Sequence, residues 1–72
     1  MTAQYLATMF NAGVRTIVKD GAGRRIEHTT TDAIANGRSQ ASTKEVYEWT
    51  VSRDHEARED MLTIVIKEGN NE

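Results

Sequence analysis

Val14–Thr30, VRTIVKDGAGRRIEHTT, is the stretch that decides the fold class. Val14–Lys19 is rich in β-branched side chains, which suit a pleated strand. Asp20-Gly21-Ala22-Gly23 is turn chemistry, because Asp-Gly and a second glycine two places on supply the positive φ angles of a tight hairpin. Arg24–Thr30 is then the returning strand. By the period of two, Val14, Thr16 and Val18 share one face, and Ile26, His28 and Thr30 share another. Only half of each strand is apolar, so the hairpin is expected to be solvated on one side.

Upstream, Thr2 is placed to cap a helix running from Ala3 to about Asn11. Leu6, Met9 and Phe10 fall at i, i+3 and i+4, with Tyr5 beside them, giving one apolar stripe. Gly13 follows, where a left-handed residue would close the helix. So short a helix does not persist alone in water, and its stripe must lie on the sheet. Downstream, Thr31-Asp32 can cap a short helical turn through Ala33-Ile34-Ala35, stopped by Asn36-Gly37. Arg38–Thr43, RSQAST, is polar and without period; it reads as a loop that adds almost nothing to burial.

The hydrophobic pattern returns in Glu45–Val51, EVYEWTV. Tyr47, Trp49 and Val51 alternate there with Glu48 and Thr50, the mark of a half-buried strand. Arg53–Asp60, RDHEARED, is nearly all charged: a loop, or one exposed helical turn held by Asp54 and Arg58 at i, i+4. Met61–Lys67, MLTIVIK, is the most apolar strand, with Leu62, Ile64 and Ile66 on one face and Met61 and Val65 on the other. A strand apolar on both faces is either central and covered on both sides, or it meets another chain. The whole order predicts an α+β fold: a short N-terminal helix packed on a mostly antiparallel sheet of about four strands, in two hairpins with a short helix between them. Residues 1–72 make one small domain, with a polar tail from about residue 68.

Composition narrows the function classes. The net charge of −2 and the abundance of Thr, Val and Ile favour a folded chain over a disordered one. With no cysteine, the disulfide that commonly staples so small a domain is missing, so a marginal monomer or an oligomer is expected. The thin core and the two-sided final strand point to a homodimer. No apolar run approaches the ~18 residues of a membrane span. Met1-Thr2-Ala3-Gln4 has neither the basic nor the apolar region of a secretory signal, so the cytoplasm is the expected compartment. Residues 1–44 carry a formal charge of +3 and residues 45–72 one of −5. Such an asymmetry can shape the choice of partner.

The chemical motifs are weak. Gly21-Ala22-Gly23 is the only glycine-rich spot, and no helix N-terminus follows it to meet a phosphate. His28 and His55 are the only imidazoles. Without cysteine or a second histidine at helical spacing they complete no tetrahedral metal site, and no metal or cofactor is expected. Ser39, Ser42 and Ser52 have no neighbouring base, and the carboxylate pairs Glu45/Glu48 and Glu59/Asp60 sit on a generally acidic segment. A catalytic set is therefore absent from the sequence, and the chain is not expected to be an enzyme.

One local resemblance exists. Val18–Asp32, VKDGAGRRIEHTTTD, preceded by a short helix, resembles the hairpin of small phage head–tail joining proteins, which run helix, hairpin, helix. It covers about fifteen residues and is carried mostly by turn chemistry. The pattern departs after Asn36, where a second strand pair replaces the longer helix, and no function is carried across.

Two binding readings remain. The first is a non-enzymatic protein-binding module, an adaptor or inhibitor of a host macromolecule such as phages and other mobile elements supply. Its candidate contacts are Tyr5, Tyr47 and Trp49, since aromatic residues dominate binding hot spots, and the acidic Asp54, Glu56, Glu59 and Asp60, which can steer toward a basic partner. The alternative is a β-ribbon DNA-binding regulator using Arg15, Lys19, Arg24 and Arg25. A pI near 5.6 weighs against nucleic acid as the partner.

Overall fold

The hairpin expected at Val14–Thr30 forms as β1 (Arg15–Lys19) and β2 (Arg25–Thr30). It is flanked by α1 (Ala3–Ala7) and α2 (Thr31–Ala35), and followed by a second hairpin of β3 (Val46–Asp54) and β4 (Glu59–Ile66). The computed structural model describes residues 1–67, so the polar tail expected from residue 68 lies outside the described residues. The strands make one sheet in the order β2-β1-β4-β3. Each hairpin is antiparallel, and a parallel pairing of β1 with β4 joins them, placing Thr16 beside Leu62 and Val18 beside Ile64. The fold is thus α+β with a mixed sheet. Local turn chemistry reports the hairpins but carries no signal for the long-range parallel seam.

The core lies on one face of that sheet. Val18, Leu62, Ile64 and Ile66 project from it to meet Ala3, Leu6 and Ala7 of α1, Ile34 of α2, and Ala41. Each large aliphatic side chain removed from water in this way contributes about 1.5–3 kcal/mol. On the opposite face Ile17, Met61 and Val65 are only half-buried. The apolar final strand is therefore central, as its two-sided pattern suggested, but fully covered on one side alone.

Three expected elements change. α1 ends at Ala7 rather than near Asn11. The Thr8 hydroxyl donates to the Tyr5 carbonyl at 2.6 Å, and Thr8, Met9 and Phe10 N–H groups reach back three residues instead of four. That tighter winding takes Met9 out of the apolar stripe and leaves it exposed. Residues 53–60 are neither loop nor helical turn throughout: Arg53, Asp54, Glu59 and Asp60 belong to the strands, and only residues 55–58 turn. Asp54 Oδ1 accepts the Glu56 and Ala57 N–H groups, and Arg58 takes a left-handed φ of 57°. Cross-strand pairing overrode charge here. Finally, β3 is not half-buried; no residue along it is fully buried.

The RSQAST loop buries more than its polarity suggests. Ser39, Ala41 and Ser42 are all buried. The Ser42 hydroxyl donates to the Ile34 carbonyl at 2.8 Å, and the Ser39 hydroxyl donates to Glu27 Oε1 while accepting the Ala41 N–H. The loop also completes α1, because Ala3 N–H donates to Lys44 O and Gln4 N–H to Ser42 O. Thr2 receives the next two, Tyr5 N–H on its hydroxyl and Leu6 N–H on its carbonyl. The Leu6 bond opens the intrahelical ladder, and the orphan donors of Ala3, Gln4 and Tyr5 before it are all satisfied. Small side chains allow this close approach, so the signal lay in size rather than hydrophobicity.

Thr31 and Asp32 also do other work than capping. Thr30 occupies the cap position of α2 without a side-chain hydrogen bond to it. Thr31 Oγ1 donates to Asn11 O and accepts Val14 N–H, and Asp32 Oδ1 accepts Gly13 N–H at 2.9 Å. These bonds fasten the α1–β1 connection to α2. A hydrogen bond from the Thr30 side chain, helped by the backbone N–H groups of Asp32 itself and Gly13, holds the Asp32 carboxyl below the usual carboxylate range.

Candidate protein-binding surface

β3 runs along one edge of the sheet; beyond Val46, whose N–H donates to Met1 O at 2.8 Å, the outer side of its backbone has no neighbouring strand. Its register sets Trp49 opposite Ile64 and Val51 opposite Leu62, so both side chains stand on the same face as the core. The helical layer does not extend over them. Trp49 is 44% exposed and Val51 43%. The Phe10 ring meets Trp49 edge-on, with centroids 5.8 Å apart and an interplanar angle of 83°. This is the only ring pair among the described residues, and it fixes the indole at the margin of the core.

Tyr47 does not continue this row. Val46 pairs with Ile66 and Glu48 with Val65, so Tyr47 is the extra residue of a bulge and the alternation expected across Tyr47, Trp49 and Val51 breaks there. It is 67% exposed and lines an open groove of about 370 Å³ with Asp20, Gly21, Gly23, Glu48, Val65, Ile66 and Lys67. The buried carboxylate of that groove, Asp20, is committed to the turn: its Oδ1 accepts both Ala22 and Arg24 N–H at 2.9 Å. Gly23, with φ of 87°, rather than Gly21, supplies the left-handed turn residue. Tyr5 is exposed on α1, one helical turn from the equally exposed Met9.

A second bulge affects the first hairpin. Val18 pairs with Glu27 and Lys19 with Arg25, which makes Ile26 the extra residue and lets it pack against the core cluster. It is thereby separated from His28 and Thr30, which stand opposite Ile17 and Arg15 on the outer face.

The two charge poles of the sequence meet. The β1–β4 seam sets Arg15 beside the base of the β3–β4 turn, where its guanidinium lies 3.0 Å from Glu59 and 3.9 Å from Asp54. Arg53 and Asp60 are directly opposed and 3.3 Å apart, and Arg24 lies 3.7 Å from Asp20. Of the acidic candidates, Asp54, Glu59 and Asp60 are therefore engaged within the chain, and Glu56 is exposed in the turn. Of the basic candidates, Arg15 and Arg24 are engaged, while Lys19 and Arg25 oppose each other at the bulge. These exposed or half-exposed pairs contribute little stability each, but they reduce both fields.

No three His, Cys, Asp or Glu side chains converge as a metal-binding group among the described residues, and no described helix is long and apolar enough to cross a membrane. No protein-family model matches the chain, and neither does any curated protein or solved structure. The residues that periodicity missed are Val51 and Phe10 as parts of the surface. Alternation placed Val51 beside Trp49, but nothing local signalled that the helical layer stops short of both.

Proposed function

We propose that this chain is a non-enzymatic protein-binding module, an adaptor or inhibitor of a host macromolecule acting in the cytoplasm, of the accessory kind that phages and mobile elements carry. The observation that carries the reading is an edge strand of nine residues whose exposed side chains include Tyr47, Trp49 and Val51. An unpaired strand edge offers main-chain hydrogen bonds, and exposed aromatic anchors beside it supply most of the affinity at such surfaces. The acidic turn contributes steering rather than binding energy, since three of its four carboxylates already have partners within the chain. The β-ribbon alternative has less support, because two of its four basic side chains face acids.

The test is affinity capture from the producing cells with the full chain and its Trp49→Ala variant side by side. A protein retained by the parent chain and lost with the variant, at matched thermal stability, is the expected result. Equal retention by both, or retention by neither, overturns the assignment of this surface.

A further inference from the structure

We infer that the occupant of the free β3 edge is an extended basic segment of the partner, in which lysine or arginine side chains alternate with apolar ones. The inference rests on the reading of β3 as the binding strand and names the chemistry of what that strand receives. Met1 and Thr2 already cover the start of the edge, through the Val46 N–H bond to Met1 O and the bridge of Thr2 to Glu45. The open stretch therefore begins after Val46 and runs to Asp54. Natural edges are commonly blunted by lysine, proline or a bulge. This stretch has neither lysine nor proline, and its bulge at Tyr47 sits next to the covered end.

The two faces of the stretch differ in chemistry. Trp49 and Val51 stand on the core side, and Arg53 beyond them is matched by Asp60 at 3.3 Å. Glu48, Thr50, Ser52 and Asp54 stand on the outer side, opposite Val65, Thr63, Met61 and Glu59. Negative charge is in excess there. Glu48 is exposed and makes no ion pair among the described residues, and Arg15 alone serves both Asp54 and Glu59. A strand laid along the edge in either direction places every second side chain on each face. Apolar side chains then meet Trp49 and Val51, and the alternate ones meet Glu48 at one end and Asp54 with Glu59 at the other. Opposite charges at such cross-strand positions attract and like charges repel, which selects lysine or arginine there. The far edge, β2, does the reverse: it is six residues long, is broken by the Ile26 bulge, and begins where Arg25 and Lys19 stand side by side. A basic strand is thus directed to one edge of the sheet and away from the other.

Trp49 is the only tryptophan of the chain, so its fluorescence reports occupation of this edge directly. The probe is the acetylated and amidated peptide Lys-Val-Lys-Val-Lys-Val-Lys. Its comparisons are Glu-Val-Glu-Val-Glu-Val-Glu and the block sequence Lys-Lys-Lys-Lys-Val-Val-Val. The alternating lysine peptide should shift Trp49 emission to the blue and saturate, with lower affinity as salt rises, and the other two should not. Glu48→Lys should leave the urea midpoint of this exposed position unchanged and weaken peptide binding about two- to thirtyfold. No shift with the alternating lysine peptide, an equal shift with either comparison peptide, or an affinity that Glu48→Lys leaves unchanged overturns the proposal. Sedimentation equilibrium showing a dimer that Trp49→Ala dissolves would also overturn it, because a second copy would then be the occupant. A cellular protein captured through Trp49 but held equally well by Glu48→Lys would leave the binding reading standing, so the two can fail separately.

Discussion

β3 and β4 are partners in one hairpin and each sets apolar residues on the core face of the sheet, yet their fates differ. Leu62, Ile64 and Ile66 of β4 are fully buried, while Val51 and Trp49, directly across from the first two, are almost half exposed. The difference lies in neighbours rather than in hydrophobicity. β4 is flanked by β1 and β3 and lies beneath α1, α2 and the 38–44 loop; β3 has one strand beside it and packs toward the core through Val46 at its start and through Trp49 against Phe10. Alternation identifies which face of a strand points toward a core. How far the covering layer extends is settled by how five-residue helices fit over the sheet.

The sharpest way to break this contrast is to truncate each member of one opposed pair. Ile64→Ala should cost about 2–5 kcal/mol in urea unfolding, a large share of what so small a domain possesses. Trp49→Ala should cost less, about 1–3 kcal/mol, because nearly half of the indole is already in water and only its inner part and its edge contact with Phe10 are lost, while abolishing partner capture. Equal losses would mean that β3 belongs to the core. Ser42→Ala probes why β4 is covered: removing the hydroxyl that donates to Ile34 O should cost about 1–2 kcal/mol, against near zero for the exposed Ser52→Ala.

A smaller effect separates the tip of the second hairpin from its body. Arg58→Gly should stabilise the chain by about 0.5 kcal/mol, because glycine tolerates the left-handed backbone that arginine adopts there; the urea midpoint measures it. The smallest effect concerns pH. Asp32 has a lowered pKa in the fold, so its contribution is complete above the unfolded carboxyl value and is lost as pH falls through the folded one. Thermal unfolding of Asp32→Asn should therefore depend less on pH in the acid range than that of the parent. An unchanged acid slope would show that the Gly13 and Thr30 bonds do not act on ionisation.

Much of the fold was legible in the residues. Asp20 and Gly23 announce the first turn, Thr2 the start of α1, Asn36-Gly37 the end of α2, and the 62/64/66 alternation the core face of β4. What resisted reading was of two kinds. Ser39, Ala41 and Ser42 are buried for their small size, which hydropathy does not record, and the Ile26 and Tyr47 bulges shift a face by inserting a single residue. The candidate site was half legible. Trp49 was identified by type, but the acidic and basic candidates were read as separate fields because their sequence distance hides that Arg15 meets Asp54 and Glu59.

Sequence alone determined the α+β class and the two hairpins, because turn chemistry and periodicity are local quantities. Only the tertiary structure decided that β1 and β4 run parallel, that Arg15 of the basic half meets Asp54 and Glu59 of the acidic half, and that β3 stands largely uncovered. Those outcomes depend on which strands become neighbours. Neighbourhood is a property of the assembled sheet that no window of residues contains.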